Sequence, residues 1–483
     1  MPSPLPTHAV ASRAPVAELA RRIDWALPAL ATLVFGIVRL PELVRSPLWY
    51  DELFSMGVAG LPLAESLRRA VADHTNPPLF YLLLKGWMAL GGDSDQWVRL
   101  LPCVLSMLVG AALVWLAREA RAGALALTLA VALAAASPLS VDLANEVRAY
   151  SLLTLLACLS LAAALRAARQ PTRDAFVLLT LLNIALVHAH YFGWFTVGAE
   201  GVVAACCWER DAARRMARSA LFTLLAFLPW AVAVASHAFA NPAPLRNVAW
   251  IATPDARAPL WLLRDLTGHS GNAMADVGWL AFALVALAAL ALARWRDRRR
   301  AGTLVLLAAA GFAAPLAVWV AALIGGHSLW VPRYLSGAAA PVALLVAIAV
   351  TALPPRRWAA AAVVGLLWAA AAFAALPGRP PAKFDWRRLA RRIERSAGSP
   401  SEVYALEAFT AAPLKRYLGA GLQLQVVRAL DQLPSGDEWL VYRRESFADG
   451  ASGARLRALG FAIVTSLAAE SAGQKIVAVR IRR

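Results

Sequence analysis

Long apolar runs separated by short polar loops dominate the chain from residue 25 to residue 376. A run of about 20 apolar residues spans the hydrocarbon core of a bilayer as a single helix. The pattern therefore predicts an α-helical polytopic membrane protein with about eleven transmembrane helices. The predicted spans are 25–44, 99–117, 123–141, 150–166, 175–189, 192–208, 219–238, 276–293, 303–324, 335–353 and 358–376.

One further apolar stretch, residues 79–91, is too short to cross a hydrocarbon core of about 30 Å. If it crossed the membrane, every later basic loop would change sides. We therefore predict an interfacial or re-entrant helix at 79–91. It lies on the outer face and continues the first loop.

The pattern changes after residue 376, where Pro377 to Pro381 form a Pro/Gly-rich linker. Beyond it, helical and extended patterns alternate, which indicates a small C-terminal α/β soluble domain. The predicted helices are 386–395, 411–418 and 452–459, and the predicted strands are 403–406, 422–427, 439–442, 462–465 and 476–481.

Three domains follow from this organisation. Residues 1–24, rich in Pro, Ala and Ser, form an N-terminal cytoplasmic tail. Residues 25–376 form the transmembrane domain, in which 46–98 are the first outer loop with its interfacial helix. Residues 377–483 form the C-terminal domain, and an odd number of spans places it on the outer, periplasmic side.

Charge sets this orientation. The chain is 60% hydrophobic and has a formal net charge of +18. Lys and Arg collect in the cytoplasmic loops of membrane proteins, and the basic loops between the predicted spans all fall on one side. Nucleic acid is not an expected partner, because the basic clusters are short and lie between apolar runs. A basic cluster at 379–395 lies on the outer side, where it would suit lipid phosphates or an anionic acceptor.

No cysteine or histidine spacing predicts a metal site. Cys103, Cys158, Cys206 and Cys207 all lie inside apolar segments, without the spacing of a metal centre or a disulfide framework. His188 and His190 are two residues apart and do not share a helix face. No cofactor is predicted from these residues, and a divalent cation is left open.

Two adjacent carboxylates, Asp51 and Glu52, follow the first apolar run and are flanked by Trp49, Tyr50 and Phe54. A carboxylate in such an aromatic interfacial setting is partly desolvated, which raises its pKa toward that of a general base. The alternative is a solvated acidic pair at the membrane edge.

A second unusual stretch runs from His74 to Lys85. Pro77 and Pro78 end the loop and start the next helix, which fixes His74 and Asn76 at the membrane surface. Lys85 either extends to the interface or pairs with a phosphate.

Further polar groups lie at the outer ends of later helices. Arg148 and Arg333 lie close to Tyr150 and Tyr334, and an arginine at that depth is costly unless it has a function or reaches lipid headgroups. The outer loop 239–272 mixes polar and aromatic residues, which suits either a lid over sugar and prenyl chain or a plain connector.

These motifs resemble those of the integral-membrane GT-C glycosyltransferases, in particular the protein O-mannosyltransferases and the lipid A aminoarabinose transferase. The resemblance rests on Trp-Tyr-Asp-Glu at 49–52, Asn-Pro-Pro-Leu-Phe-Tyr-Leu-Leu-Leu-Lys at 76–85 and Asp-Gln-Trp-Val-Arg-Leu-Leu-Pro at 95–102. It becomes looser at 145–150, 188–192 and 332–335.

The resemblance implies a GT-C fold in the bacterial inner membrane and transfer of a sugar from a polyprenyl-phosphate donor on the outer face, with inversion. It also implies that Asp51 is the base and that Glu52 helps to orient the acceptor. The acceptor hydroxyl must lose a proton and the departing phosphate needs cations or hydrogen-bond donors. The expected substrate- or phosphate-binding residues are His74, Asn76, Lys85, Arg148, Tyr150, His188, His190, Arg333 and Tyr334.

The donor sugar stays open between mannose, glucose, galacturonate and aminoarabinose, and the acceptor between lipid A, another glycan, a lipid and a protein. A transporter or flippase of a lipid-linked substrate is the alternative, as is an inactive GT-C-like partner protein. A transporter would place polar residues in mid-bilayer on several helices. Here the ionisable residues concentrate at the outer boundary, which favours an enzyme.

Overall fold

A computed structural model of the chain describes residues 13–44, 46–241, 251–294, 298–325, 328–352, 355–379, 383–396, 402–419, 421–443, 452–471 and 474–483. Residues 1–12 of the predicted tail, 242–250 of the predicted outer loop, His327 and linker residues 380–381 lie outside this range. The chain divides into two compact units. The membrane unit contains residues 1–39, 103–144 and 150–374, and the loop unit contains 40–102, 145–149 and 375–483.

Helices dominate the described residues. In chain order they are α1 (Arg13–Arg39), α2 (Tyr50–Gly60), α3 (Leu63–Asp73), α4 (Leu79–Gly91), α5 (Asp95–Glu119), α6 (Ala124–Ala136), α7 (Pro138–Ala144), α8 (Tyr150–Arg169), α9 (Arg173–Ala189), α10 (Gly193–Cys207), α11 (Arg210–Ala240), α12 (Ala258–Thr267), α13 (Ala273–Arg294), α14 (Arg298–Ala308), α15 (Ala314–Gly325), α16 (Ala339–Thr351), α17 (Pro355–Ala375), α18 (Trp386–Glu394), α19 (Ala408–Tyr417) and α20 (Ser452–Ala458). Short 3₁₀ turns cover Leu40–Val44, Pro332–Ala338, Leu376–Gly378 and Leu430–Gln432, and a π-helical segment covers Ala309–Ala313.

Each of the eleven predicted spans is helical over most of its described residues, but fewer qualify as spans by length and composition. Among the described residues eight helices are long and apolar enough, or nine if the bent pair α6 and α7 counts as one. The predicted spans 175–189 and 192–208 correspond to α9 and α10, which have 17 and 15 residues. At about 1.5 Å per residue both are shorter than a core of about 30 Å. The predicted short helix at 79–91 is α4.

Small apolar side chains build the core of the membrane unit. Helices α8 and α16 are buried almost throughout, and α16 packs against α6 and α13. Helices α5 and α1 approach so closely that a Cβ atom at Gly110 would lie 2.7 Å from the Ala31 carbonyl oxygen. Small residues allow such contact between membrane helices, where packing rather than hydrophobicity drives association.

The loop unit contains a five-stranded sheet. Its strands are β1 (Glu402–Leu406), β2 (Gln423–Val427), β3 (Asp437–Arg443), β4 (Ala462–Ser471) and β5 (Gln474–Arg482), in the order β2-β1-β3-β5-β4. β1 is parallel to β2 and β3, and β5 is antiparallel to β3 and β4. The predicted α/β alternation is confirmed, with each predicted helix and strand present.

Period-two alternation gives this sheet two apolar faces. Val403 and Trp439 face the layer that contains α18 and α19. Tyr404 and Leu440 face the other side, where Leu456 of α20 packs. The same unit also holds α2, α3 and α4 of the first predicted loop, so the loop and the C-terminal sheet belong to one compact body.

Candidate active site

The turn that starts α2 positions the two adjacent carboxylates. Trp49 is extended and ends the preceding segment, and Asp51 and Glu52 lie in the first helical turn, where the helix dipole favours anions. Consecutive helical residues point about 100° apart. Glu52 is therefore fully buried, whereas Asp51 is half-buried.

Glu52 accepts contacts from five donor atoms within the loop unit. Arg99 supplies two, Nε to Oε1 at 3.1 Å and Nη2 to Oε2 at 2.8 Å. Lys383 Nζ lies 3.1 Å from Oε2. The backbone N–H groups of Trp49 and Val147 donate to Oε2 and Oε1, each at 3.1 Å. We refer to these groups as the Glu52 cluster.

The cluster keeps Glu52 ionised. Burial by itself raises the pKa of this carboxyl, but the charges of Arg99 and Lys383, with the hydrogen bonds, outweigh it, and the net pKa lies below the usual glutamate value. Burial lowers the pKa of Lys383, and the charge of Glu52 offsets this only in part. Arg99 also donates to the carbonyl oxygens of Ser46 and Pro47, which fixes the segment that leads into α2.

A second group of polar side chains surrounds Asp51. The charge of Asp51 acts on Tyr50, Asp73 and Tyr81, which places them near one another. Burial raises the pKa of Asp73, and the charge of Arg148 offsets this only in part. Oδ2 of Asp73 is buried and has no hydrogen-bond partner among the described residues.

Arg148 belongs to the same group. Its Nη1 donates to Ser55 Oγ at 3.3 Å, and Ser55 Oγ donates to the Asp51 carbonyl oxygen at 3.0 Å. The Arg148 side chain is buried, and Val147, its neighbour in the chain, donates to Glu52. Segment 145–149 thus contacts the Glu52 carboxylate through a backbone N–H and the Asp51 backbone carbonyl oxygen through Ser55.

The predicted residues of the second stretch, His74, Asn76 and Lys85, do not all lie in the same environment. His74 ends α3 in the left-handed conformation, with φ of 58°, and Asn76 is buried with its amide facing the Tyr81 hydroxyl. Lys85 instead donates to the carbonyl oxygens of Ala59, at 2.8 Å, and Leu61. Its ammonium therefore caps the C-terminal end of α2, where the helix dipole is negative.

The predicted residues of the membrane unit form an aromatic group of their own. The ring centroids of Tyr150, His190 and Tyr334 lie 5.7–6.1 Å apart. The Arg333 guanidinium lies 5.9 Å from the Tyr150 ring and 5.8 Å from the Tyr334 ring, a cation–π arrangement. His188 lies elsewhere, against Phe227 and with Nδ1 2.8 Å from the Ile184 carbonyl oxygen.

Across the described residues no three His, Cys, Asp or Glu side chains are grouped so that they could hold a metal ion.

Three residues of the loop unit were not predicted as site residues. In the sequence Arg99 is only part of the family motif, and Lys383 lies in the basic cluster at 379–395, which suits lipid phosphates or an anionic acceptor. Asp73 could have been recognised from its position at the end of a helix. A carboxylate there is destabilised by the helix dipole, so its presence calls for a charged partner or a function.

The overall fold is similar to that of known membrane glycosyltransferases. The crystal structure of ArnT from Cupriavidus metallidurans bound to undecaprenyl phosphate matches with a TM-score of 0.58 at 14% identity, covering 95% of this chain and 98% of that chain. Its apo form gives 0.56 at 14% identity, with the same coverage. The chain has the GT-C fold.

An archaeal member of the GT-C group is also similar. The Archaeoglobus fulgidus oligosaccharyltransferase, with a tethered acceptor peptide, gives a TM-score of 0.55 at 12% identity over 87% of this chain and 69% of that chain. Residues 75–238 match the dolichyl-phosphate-mannose-protein mannosyltransferase family. No curated protein matches the sequence. The predicted resemblance to GT-C glycosyltransferases is therefore confirmed, as is a multi-pass membrane protein.

Proposed function

We propose that this GT-C protein transfers a sugar from a polyprenyl-phosphate donor to an acceptor hydroxyl at the outer face of the bacterial inner membrane, with inversion. The Glu52 cluster is the observation that carries the proposal. In this cluster the buried Glu52 carboxylate fixes the turn that carries Asp51. Arg148 belongs to the same compact unit. Rigid positioning of a carboxylate and a guanidinium is what such a reaction requires.

Asp51 is the proposed base. The acceptor oxygen bonds to the anomeric carbon while the bond from that carbon to the phosphate oxygen breaks, and the acceptor proton passes to the carboxylate. Glu52 is poorly suited to take that proton, because both of its oxygens already accept from cations and backbone N–H groups. Asp51 is half-buried, which leaves part of it accessible to an acceptor. Glu52 supports it from the next position.

Arg148, the aromatic group and the polar residues of the second stretch are the proposed contacts for donor phosphate and sugar. Arg148 supplies a buried cation that stabilises the negative charge of the leaving phosphate. The ArnT structure that shares this fold contains undecaprenyl phosphate, which supports a polyprenyl-phosphate lipid as the partner here. His74, Asn76, Tyr150, His190, Arg333 and Tyr334 complete the proposed binding set.

The proposal is tested with the purified chain in nanodiscs. Undecaprenyl-phosphate-linked mannose, glucose, galacturonate and aminoarabinose are supplied one at a time, with an envelope lipid and glycan extract as acceptor. Mass spectrometry measures the undecaprenyl phosphate released and the sugar mass added to the extract. We expect one donor to be used and Asp51→Asn to lower transfer at least about 100-fold.

Glu65→Gln is the matched control, because Glu65 is an exposed carboxylate on α3 of the same unit. It is expected to leave the transfer rate unchanged. Transfer by Asp51→Asn at the wild-type rate would remove Asp51 from the mechanism. Failure of the wild-type chain to use any of the four donors would contradict the proposed function.

A further inference from the structure

One ammonium group in the C-terminal part of the loop unit, that of Lys383, contacts the Asp51–Glu52 turn. Lys383 lies three positions before α18, and its side chain is 11% exposed. Its Nζ is 3.1 Å from Glu52 Oε2 and donates to the Asn145 carbonyl oxygen at 3.4 Å. One lysine therefore contacts both the first loop and segment 145–149.

A second connection joins the same parts of the chain at Asp95. Tyr417, the last residue of α19, donates its hydroxyl hydrogen to Asp95 Oδ2 at 2.7 Å and accepts from the Leu48 backbone N–H at 2.6 Å. Arg387 and Arg416 also bind Asp95, at 2.6 and 3.2 Å. Helices α18 and α19 thus fix the backbone directly before Trp49.

The buried contact between Lys383 and Glu52 is not explained by stability alone. Burial removes an ammonium and a carboxylate from water, and their attraction offsets that loss only when the geometry is good. Burial lowers the pKa of Lys383 despite the nearby Glu52. Arg99 by itself already forms a two-bonded pair with Glu52. A second cation is therefore not needed to neutralise Glu52. What it adds is a further contact that fixes the position of the carboxylate.

We propose that Lys383 is a positioning residue, through which the C-terminal domain holds the Asp51 turn and the Arg148 segment in register. The inference rests on the proposed function for its catalytic consequence. Lys383 acts through Glu52 and Asn145 and does not touch the reacting atoms. Without it, Glu52 keeps Arg99 and the Val147 N–H but loses the contact that ties it, together with Asn145, to the C-terminal domain. The geometry shared by Asp51 and Arg148 is then less tightly fixed.

The first test compares two substitutions at this position. Lys383→Met keeps the length of the side chain and removes the charge, whereas Lys383→Arg keeps the charge. We expect Lys383→Met to lower kcat for the donor used by the wild type about 10- to 100-fold, with little change in KM, since misplacement by about 1 Å has effects of that size. Lys383→Arg should restore most of the rate. Lys415→Met, at an exposed lysine of α19, is the matched control and should stay within about twofold of the wild type, as for a solvated surface position.

The second test does not depend on catalysis. Hydrogen exchange of the peptides that cover 46–60 and 145–149 reports on the Trp49 and Val147 amides, both of which donate to Glu52. We expect Lys383→Met to accelerate exchange in both peptides and Lys415→Met in neither. Faster exchange together with an inactive wild-type chain would support the positioning role while contradicting the proposed function.

A double-mutant cycle separates positioning from a general loss of stability. Glu52→Gln leaves Arg99 and Lys383 as buried cations without their carboxylate, so adding Lys383→Met in that background should relieve repulsion and raise the folded yield. An equal loss of folded yield from Lys383→Met in the wild-type and Glu52→Gln backgrounds would overturn the inference. Unchanged exchange in both peptides of Lys383→Met would overturn it as well.

Discussion

Asp73 combines three properties that rarely persist at a structural position. Its carboxylate ends a helix, where the dipole is unfavourable, and its Oδ2 is buried without a hydrogen-bond partner among the described residues. Its charge is coupled to that of Asp51 and to Arg148. A partly buried carboxylate that costs stability is commonly retained for function, which makes Asp73 a candidate to act with Asp51 in the proposed transfer.

Replacing Asp73 by Asn should separate stability from activity. We expect the variant to be more stable than the wild type at neutral pH and about 10-fold less active in transfer. Burial raises the pKa of Asp73 in the folded chain, so the wild type loses stability as pH rises from the usual aspartate pKa through this raised value. Thermal unfolding across pH 3–8 measures the difference, which should vanish at the acidic end. A less stable variant at neutral pH would contradict this account.

At the scale of single elements, Lys85 shows how a residue within a motif can have a structural task. Its ammonium satisfies the carbonyl oxygens at the end of α2, so we expect Lys85→Met to cost about 1 kcal/mol of stability while leaving the donor KM unchanged. Unfolding curves and donor titrations measure the two effects. A raised donor KM with unaltered stability would return Lys85 to a phosphate-binding role.

The sequence patterns predict the secondary-structure elements well, but they do not predict which side chains contact one another across the fold. The α/β alternation after residue 376 could be predicted because helical and extended periodicity are local properties. The Glu52 cluster could not, since it joins residues whose separation is 47 positions for Arg99 and far greater for Lys383. Tyr417 and Leu48 are 369 positions apart. Even the basic cluster near Lys383 suggests lipid phosphates or an anionic acceptor, because charge alone does not reveal which side chains turn inward.

At the scale of the whole molecule, the membrane unit includes two helices that are short for a full span. These are α9 and α10, and Glu200 of α10 is a fully buried side chain that connects the two. It accepts from Ser160 of α8 at 2.6 Å and from Asn183 of α9 at 2.8 Å. Hydrogen bonds of this kind stabilise packed membrane helices by about 0.6 kcal/mol on average.

Glu200→Ala should therefore lower the free energy of unfolding by about 1 kcal/mol, without a specific loss of transfer. Glu200→Gln, which retains an acceptor oxygen, should lose less. Unfolding in mixed micelles measures both variants against the wild type. A strong loss of transfer at unchanged stability would give this buried carboxylate a part in the reaction.

The order of the Glu52 cluster along the chain has a consequence for biosynthesis. The ribosome delivers Glu52, Arg99 and Val147 early, while Lys383 emerges only after the last apolar helix has been translated. A nascent chain interrupted after α17 would contain the membrane unit and would lack the ammonium that joins Glu52 to Asn145. Translation past Lys383 therefore completes the Glu52 cluster, and we expect chains terminated before it to lack the proposed transfer activity.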